Sequence, residues 1–341
     1  PHIASIQTGG VTFNGFETRN FADGITVGYP LNTTPGYWHD IKITNNTVDN
    51  IHPGSPHGFG IYVGFEGEAL SDGRMSAHLD FTGLVISGNQ VNSTTNACLV
   101  LQSIDATSTM QVTGNTFTNC GASGTWFASA RNINYQGNTI DAANFGIFMN
   151  SIPDGWYVAN GNYGPKDLSI TGNDLINIKN GAVLVYAGWP ADIHINSNNI
   201  AGNASGITNT LGEPIDAPSN WWGDASGPGG EGPGTGDTIS TNVNACVWLN
   251  AAYPGGTAVG TFAATNTNTG EDFCGIQAAI DAANPGDTIN VLAGTFTEQV
   301  HVNKSVTLRG QGQGVSTILS PDTLPLSFTR SGNDYFPVVH V

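Results

Sequence analysis

The sequence predicts an all-β fold, a single right-handed parallel β-helix (β-solenoid) with one short capping α-helix. Three observations support this prediction. A strand-and-turn motif recurs between residues 41 and 202, its copies lie about one coil apart, and one short amphipathic segment follows at residues 276–283. The composition agrees, because glycine supplies 46 of the 341 residues and only 10% of the chain is charged.

The recurring motif is apolar-x-apolar, a small polar pair, asparagine, any residue and a further apolar residue. Its copies are IKITNNTVDNI (41–51), LVISGNQVNS (84–93), MQVTGNTFTN (110–119), INYQGNTIDA (133–142), LSITGNDLIN (168–177) and IHINSNNIAG (193–202). The marker residues are Asn46, Asn89, Asn115, Asn138, Asn173 and Asn198, at spacings of 43, 26, 23, 35 and 25 residues. The short spacings indicate one coil, and the long ones indicate a coil with an insertion.

The motif has a direct physical interpretation. The alternation predicts a strand with one buried face, and the Gly-Asn pair that follows predicts a turn. One coil cannot bury its own apolar face, but coils stacked about 4.8 Å apart can. Parallel crossovers are almost always right-handed, and stacked asparagines bond amide to amide. A β-sandwich would instead show turns every ~8–12 residues.

The predicted helix presents one apolar face. Ile276, Ala279, Ile280 and Ala283 follow helical spacing, and Asn284-Pro285-Gly286 ends the helix. Such a helix covers the open end of a β-helix and protects its unpaired strand edge. Alternating apolar residues from Ile289 to Leu308 then predict the first coils.

Two further segments carry a resemblance. NWWGDASGPGGEGPGTGD (220–237) is similar to segments that end β-helix domains, and IQAAIDAANPGDTINVLAGTFTEQVHVNKSVTLRGQG (276–312) is similar to segments that begin them. With the asparagine repeat, they resemble the pectate-lyase-like right-handed parallel β-helix superfamily, most closely the repeat domains of bacterial and archaeal surface proteins. Two large apolar rings beside an asparagine of the repeat suit an end cap, so we expect Trp221 and Trp222 to cover the last coil, with a carbohydrate platform as the alternative.

The resemblance also implies an unusual order of segments. We expect β-helix coils in 1–250, a linker in 251–272, and the cap helix with the first coils in 273–341. The segments DYFPVVHV (334–341) and PHIASIQTGGVTF (1–13) would form two neighbouring strands of one series of coils. Such an order is expected in one period of a tandem array or in a circular permutant. The predicted contact joins Tyr335, Val338, Val339 and Val341 to Pro1 and Ile3 of the same or the next unit.

The charge balance limits the partners. The formal net charge of −17 repels nucleic acid, and no apolar run is long enough to insert into a membrane. We expect a location outside the cell or at its surface, copies of the chain itself as partners, and polysaccharide as a further candidate partner.

Candidate chemistry is sparse. A polysaccharide-active enzyme would need converging carboxylates and a Lys or Arg base, and no such set is evident in the sequence. Glu66, Glu68 and Asp72 are candidate Ca²⁺ ligands in the densest acidic segment, where the competing interpretation is a solvated loop; no other cofactor is expected.

The four cysteines suggest disulfides. Cys246 and Cys274 flank the linker, and their joint presence suggests a bridge. Cys98 lies nine residues after its preceding marker asparagine, whereas Cys120 lies five residues after its own. The two cysteines would therefore stack imperfectly, and the sequence does not decide whether they form a disulfide.

The favoured function is a structural extracellular unit that assembles head to tail, or in tandem, into a fibre, stalk or sheath. A polysaccharide lyase, epimerase or hydrolase, or a glycan-binding surface protein, is the alternative.

Overall fold

The computed structural model describes residues 2–20, 22–28, 38–49, 57–64, 79–106, 108–151, 164–186, 191–212 and 214–341. The chain forms two compact units, Pro1–Val259 and Gly260–Val341.

The first unit is a parallel β-helix with three faces. Face A contains His2–Ile6, Asp23–Val27, Ile61–Gly64, Leu99–Gln102, Ser123–Ala128, Phe145–Asn150, Gly181–Val185, Ile207–Asn209, Gly236–Ile239 and Pro228–Gly230. Face B contains Thr12–Asn14, Lys42–Thr44, Val85–Ser87, Met110–Thr113, Arg131–Gln136, Lys166–Thr171, Ala191–Asn196, Ile215–Asp216 and Val243–Asn244. Face C contains Glu17–Arg19, Thr47–Asp49, Gln90–Thr94, Thr116–Cys120, Thr139–Asp141, Asp174–Ile176 and Asn199–Ala201.

A separate three-stranded sheet contains the short strands Trp38–His39, Leu79–Thr82 and Ile104–Ala106. A two-stranded sheet contains Val247–Leu249 and Ala258–Gly260.

Register places equivalent motif positions on top of one another. Ile86 lies between Ile43 and Val112 in face B, and all three side chains are fully buried. Face C repeats the arrangement, with Val91 between Val48 and Phe117. The apolar residues of the motif therefore form continuous columns in one core, as the alternation predicts.

Glycines make the corner at which the chain enters face A. A Cβ added at Gly60 would lie 2.3 Å from Val91 Cγ1, and one added at Gly124 would lie 2.3 Å from Ile140 Cγ2. A side chain there would collide with the core column of face C. The corner is therefore tight because its backbone packs directly on buried side chains.

The second unit contains the helix and two short coils. Helix α1, Ile276–Ala282, buries Ile276, Ala279 and Ile280, which confirms the predicted apolar face. One four-stranded sheet contains, in spatial order, Glu271–Phe273, Ala264–Asn266, Thr288–Val291 and Thr307–Gly310. Three two-stranded sheets pair Gly294–Thr297 with Ser316–Leu319, Val300–His301 with Val339–His340, and Phe328–Arg330 with Asn333–Tyr335.

The predicted linker 251–272 is not free of regular structure. Ala264–Asn266 pairs antiparallel with both Glu271–Phe273 and Thr288–Val291. Ala263 and Ala264 are buried there. The boundary between the two units, at residue 259, therefore falls inside the segment that the sequence predicts as a linker.

Candidate functional site

The predicted calcium ligands cannot be placed. Glu66, Glu68 and Asp72 all lie outside the described residues. Within the part of the chain that is described, no group of three or more His, Cys, Asp or Glu side chains is arranged to hold a metal ion. Calcium binding by the acidic segment stays a prediction.

The candidate site is the last strand of the second unit, Val339–His340. This strand pairs in parallel with Val300–His301. The Val300 and Val302 amides donate to the Val338 and His340 carbonyls, each at 2.7 Å. Because backbone groups alternate along a strand, the N–H of Val339 points to the opposite edge. In the described ranges, the two-stranded sheet ends at that edge.

A stack of four rings supports this strand. The His301 and His340 rings lie 4.5 Å apart with an interplanar angle of 2°. Phe328 stacks on His340 at 4.7 Å and on Tyr335 at 4.8 Å. The hairpin of Phe328–Arg330 and Asn333–Tyr335 supplies two of these rings. The rings therefore hold the terminal strand and the hairpin together.

Gln299 fixes the chain that leads into the terminal strand. Its Nε2 donates to the carbonyls of Pro337, at 2.8 Å, and Pro325, at 3.1 Å. The same amide donates to Ser327 Oγ at 2.9 Å. The two N–H groups of this amide are shared among these three acceptors, which lie on both sides of the hairpin beside the terminal strand.

The surface around this strand is apolar and exposed. Val341 is 91% exposed, Phe336 48%, Tyr335 42% and Val339 41%. Exposed apolar groups of this kind commonly mark interaction surfaces. Tyr335, Val338, Val339 and Val341, which the sequence predicts as contact residues, thus lie within one segment ending at an open strand edge.

The other half of the predicted contact is described only through its backbone. Pro1 lies outside the described residues, as does the side chain of Ile3. The strand His2–Ile6 is the outermost strand of face A and pairs with Asp23–Val27. The Ile6 carbonyl accepts from the Gly28 amide, so the N–H of Ser5 points to the outer edge.

The model of a protein family described as "Right handed beta helix region" matches residues 31–220, which are more than half of the 341-residue chain. The chain belongs to the right-handed β-helix family. Comparison with curated proteins gave no match, and comparison with solved structures gave none. In the described parts of this right-handed β-helix, no helix has the length and apolar character needed to cross a bilayer.

A buried disulfide fastens two coils of the right-handed β-helix. Cys98 and Cys120 are bonded, with their Cα atoms 5.5 Å apart, and they are 0% and 3% exposed. Register pairs Cys120 with Thr94, and the chain turns the face C–face A corner between Thr94 and Cys98. The pairing of Cys246 with Cys274 would join the two units, and it stays a prediction.

The Trp-rich segment contributes to the core of the right-handed β-helix. Trp222 is fully buried, whereas Trp221 is half-buried. A Cβ at Gly206 would lie 2.9 Å from the Trp222 ring, so this ring packs directly on the backbone of face A. The position of Trp222 agrees with a role in covering the last coils.

Sequence reasoning missed several residues of the terminal surface. Phe328, His301 and His340 complete the ring stack, and Phe336 adds to the exposed apolar surface. A sequence signal exists for the two histidines. His301 and His340 each lie at the centre of a Val-His-Val segment, at 300–302 and 339–341, and the two segments form neighbouring strands.

Proposed function

We propose that this right-handed β-helix is a structural extracellular unit that assembles head to tail, or in tandem, into a fibre, stalk or sheath. The observation that carries the proposal is the open edge of Val339–His340, flanked by the exposed side chains of Tyr335, Phe336 and Val341. An exposed strand edge offers unpaired N–H and C=O groups as a template for another strand.

The complementary edge is the strand His2–Ile6 of another copy. Its outer edge belongs to a parallel sheet, as does the outer edge of Val339–His340. Direct pairing of these two edges would continue the parallel stacking at about 4.8 Å per strand. A contact between two different surfaces of one chain is heterologous, so it propagates as a filament unless the rotation closes a ring.

One feature supports a location outside the cell. The Cys98–Cys120 disulfide lies in the core of the first unit, and structural disulfides persist in oxidising compartments. The net charge of −17 opposes nonspecific association between copies, so assembly depends on the specific pairing of the strand edges.

The assembly is tested by sedimentation over a concentration series. The wild-type chain should form species larger than the monomer, and their proportion should grow with concentration. Val339→Pro removes the outward N–H of the terminal strand but leaves the carbonyls of Val338 and His340 free to accept from Val300 and Val302.

Val339→Pro should therefore remain monomeric with unchanged circular dichroism. Asp322→Asn, at an exposed position, is the matched control and should assemble like the wild type. A wild-type chain that stays monomeric at every concentration would overturn the proposal.

No described feature favours the enzymatic alternative over this structural role. The glycan-binding alternative rests on a different surface, the outer side of face A.

A further inference from the structure

The outer side of face A carries a continuous run of aromatic rings. Ring centroids are separated by 5.4 Å between Tyr62 and Phe59, 6.5 Å between Phe59 and Trp126, 5.9 Å between Trp126 and Phe148, and 6.1 Å between Phe148 and Tyr186. We name these five residues the aromatic track.

The alternation of side chains places the track outside the core. On the Ile61–Gly64 strand, Ile61 and Val63 belong to the main core cluster, whereas Tyr62 belongs to a separate cluster with Phe59 and Val100. Register then stacks Val100 on Tyr62 and Trp126 on Val100. Phe148 follows Trp126 in the same column. These rings therefore lie outside the main core of the first unit and pack in a cluster of their own.

Accessibility increases along the track. Tyr62 and Phe59 are 4% and 6% exposed, Trp126 and Phe148 are half-buried, and Tyr186 is 60% exposed. The track thus has a covered end and an open end. The open end presents the rings of Trp126, Phe148 and Tyr186 to solvent in sequence along the rod.

The track is electrically neutral. The five face A strands from Ile61–Gly64 to Gly181–Val185 contain no charged residue. One amide lies directly beside the rings, because Asn150 Oδ1 accepts from Trp126 Nε1 at 2.7 Å. The amide nitrogen of Asn150 keeps two N–H donors, which suit hydroxyl acceptors on a ligand.

The chemistry of this surface selects its ligand. Ring faces pack against the C–H faces of sugar rings, and an adjacent amide bonds to hydroxyl groups. An acidic polysaccharide would need cations to offset its charge, and it would be repelled by a chain with net charge −17. The three rings at the open end, spaced 5.9 and 6.1 Å apart, suit an extended polymer better than a single sugar.

We infer that the aromatic track binds a neutral polysaccharide, which lies across successive coils along the open end of face A. This site shares no residue with the terminal strand, and its test does not depend on head-to-tail assembly. The ligand is held by Trp126, Phe148 and Tyr186, with Asn150 as the polar contact.

Affinity electrophoresis tests the inference directly. The probes are hydroxyethylcellulose, xyloglucan, galactomannan and dextran as neutral polymers, with polygalacturonate as the acidic comparator. At least one neutral polymer should retard the wild-type chain, and polygalacturonate should not. Tyr186→Ala removes an exposed ring without opening the core, and it should weaken the binding roughly tenfold.

Two further variants make the test specific. Tyr186→Phe keeps the ring and should retain wild-type affinity. Tyr253→Ala removes another exposed ring, which is 40% exposed and outside the track, and it should leave binding unchanged. Trp126→Ala should abolish retardation, with circular dichroism and thermal melting as checks on folding.

Three results would overturn the inference. The first is no retardation of the wild-type chain by any neutral polymer. The second is an equal loss of affinity in Tyr186→Ala and Tyr253→Ala. The third is a wild-type chain that dimerises through the track, so that Tyr186→Ala changes the mass of the particle but not its mobility in polysaccharide.

Discussion

The side-chain amide of Asn115 donates from Nδ2 to Oδ1 of Asn138 at 2.9 Å, and both residues are 1% exposed. The same arrangement joins seven asparagines in a row, with amide-to-amide distances of 2.8–3.1 Å: Asn46, Asn89, Asn115, Asn138, Asn173, Asn198 and Asn220. The backbone N–H of Asn115 also donates to Asn138 Oδ1, and Asn115 Nδ2 also donates to the Ile86 carbonyl. The ladder therefore satisfies buried backbone and side-chain groups together, and it fixes the register of successive coils.

Removing one amide from this ladder should be costly. Asn138→Ala leaves the Asn115 N–H and Nδ2 without their shared acceptor, and each buried unsatisfied donor costs about 1–3 kcal/mol. We expect a loss of roughly 3 kcal/mol or more in the free energy of unfolding, measured by denaturant titration. Asn180→Ala, at an exposed position, is the matched control and should change stability by less than ~0.5 kcal/mol. Equal effects of the two variants would count against the ladder's role.

Glu298 should stabilise helix α1 through its first turn. Its Oε1 accepts from the Ile276 amide and its Oε2 from the Gln277 amide, both at 2.9 Å. At the other end, Lys304 Nζ donates to the Ala283 carbonyl at 3.0 Å. These charges complement the helix dipole, so Glu298→Ala should cost about 1–2 kcal/mol in the second unit.

The readout for Glu298 is hydrogen exchange at the amides of Ile276 and Gln277. Exchange should accelerate in Glu298→Ala, and less so in Glu298→Gln, which keeps a neutral acceptor. Unchanged protection of both amides in Glu298→Ala would contradict this account.

Asp237 should make the stability of the first unit depend on pH. Burial raises the pKa of Asp237 above its ordinary value of 3.8, although bonds from Asn203 and Gly202 act in the opposite direction. The folded chain therefore binds this proton more tightly than the unfolded chain, and its contribution to stability falls as pH rises from the ordinary pKa through the raised one.

Asp237→Asn should remove that contribution. The carboxylate accepts from the Asn203 amide nitrogen at 2.7 Å, and an asparagine oxygen would accept the same bond without a charge. The difference in melting temperature between wild type and variant should grow in favour of the variant as pH rises from about 3 to about 7. A difference that shrinks over this range would have the wrong sign.

The Cys98–Cys120 disulfide should contribute to stability by restricting the unfolded chain. The two residues are 22 positions apart, and loop entropy alone predicts about 3 kcal/mol. Thermal unfolding of the Cys98→Ala, Cys120→Ala double variant should show this loss. Mass spectrometry of a non-reduced digest should find the two peptides linked; alkylation of Cys98 in unfolded, non-reduced protein would refute the bridge.

The parts of this fold that sequence alone predicts are those with a local repeating mark. The marker asparagines indicate the ladder, and the apolar spacing of Ile276, Ala279 and Ile280 indicates the helix. Both can be predicted because each pattern lies within a few neighbouring residues. The strand Ala264–Asn266 has no such mark in its Thr-, Ala- and Asn-rich surroundings, so the segment reads as a linker.

The disulfide and the aromatic track depend on where positions lie around the coil, which sequence spacing does not give. Cys98 lies at the face A corner and Cys120 at the end of a face C strand, so equal offsets from the ladder are not required. In the segments IYVG and TWFA, apolar residues occupy both faces of the strand. Only the register shows that Tyr62 and Trp126 face outward.

The central claim is that the two open strand edges of one chain are complementary, and a mixing experiment tests it most directly. Val339→Pro blocks the terminal edge, and Ser5→Pro blocks the outer edge of His2–Ile6, since each removes an N–H that points away from the existing partner strand. Each variant alone should sediment as a monomer, and an equimolar mixture should form a one-to-one dimer that grows no further. A mixture that stays monomeric while both variants remain folded would contradict the account.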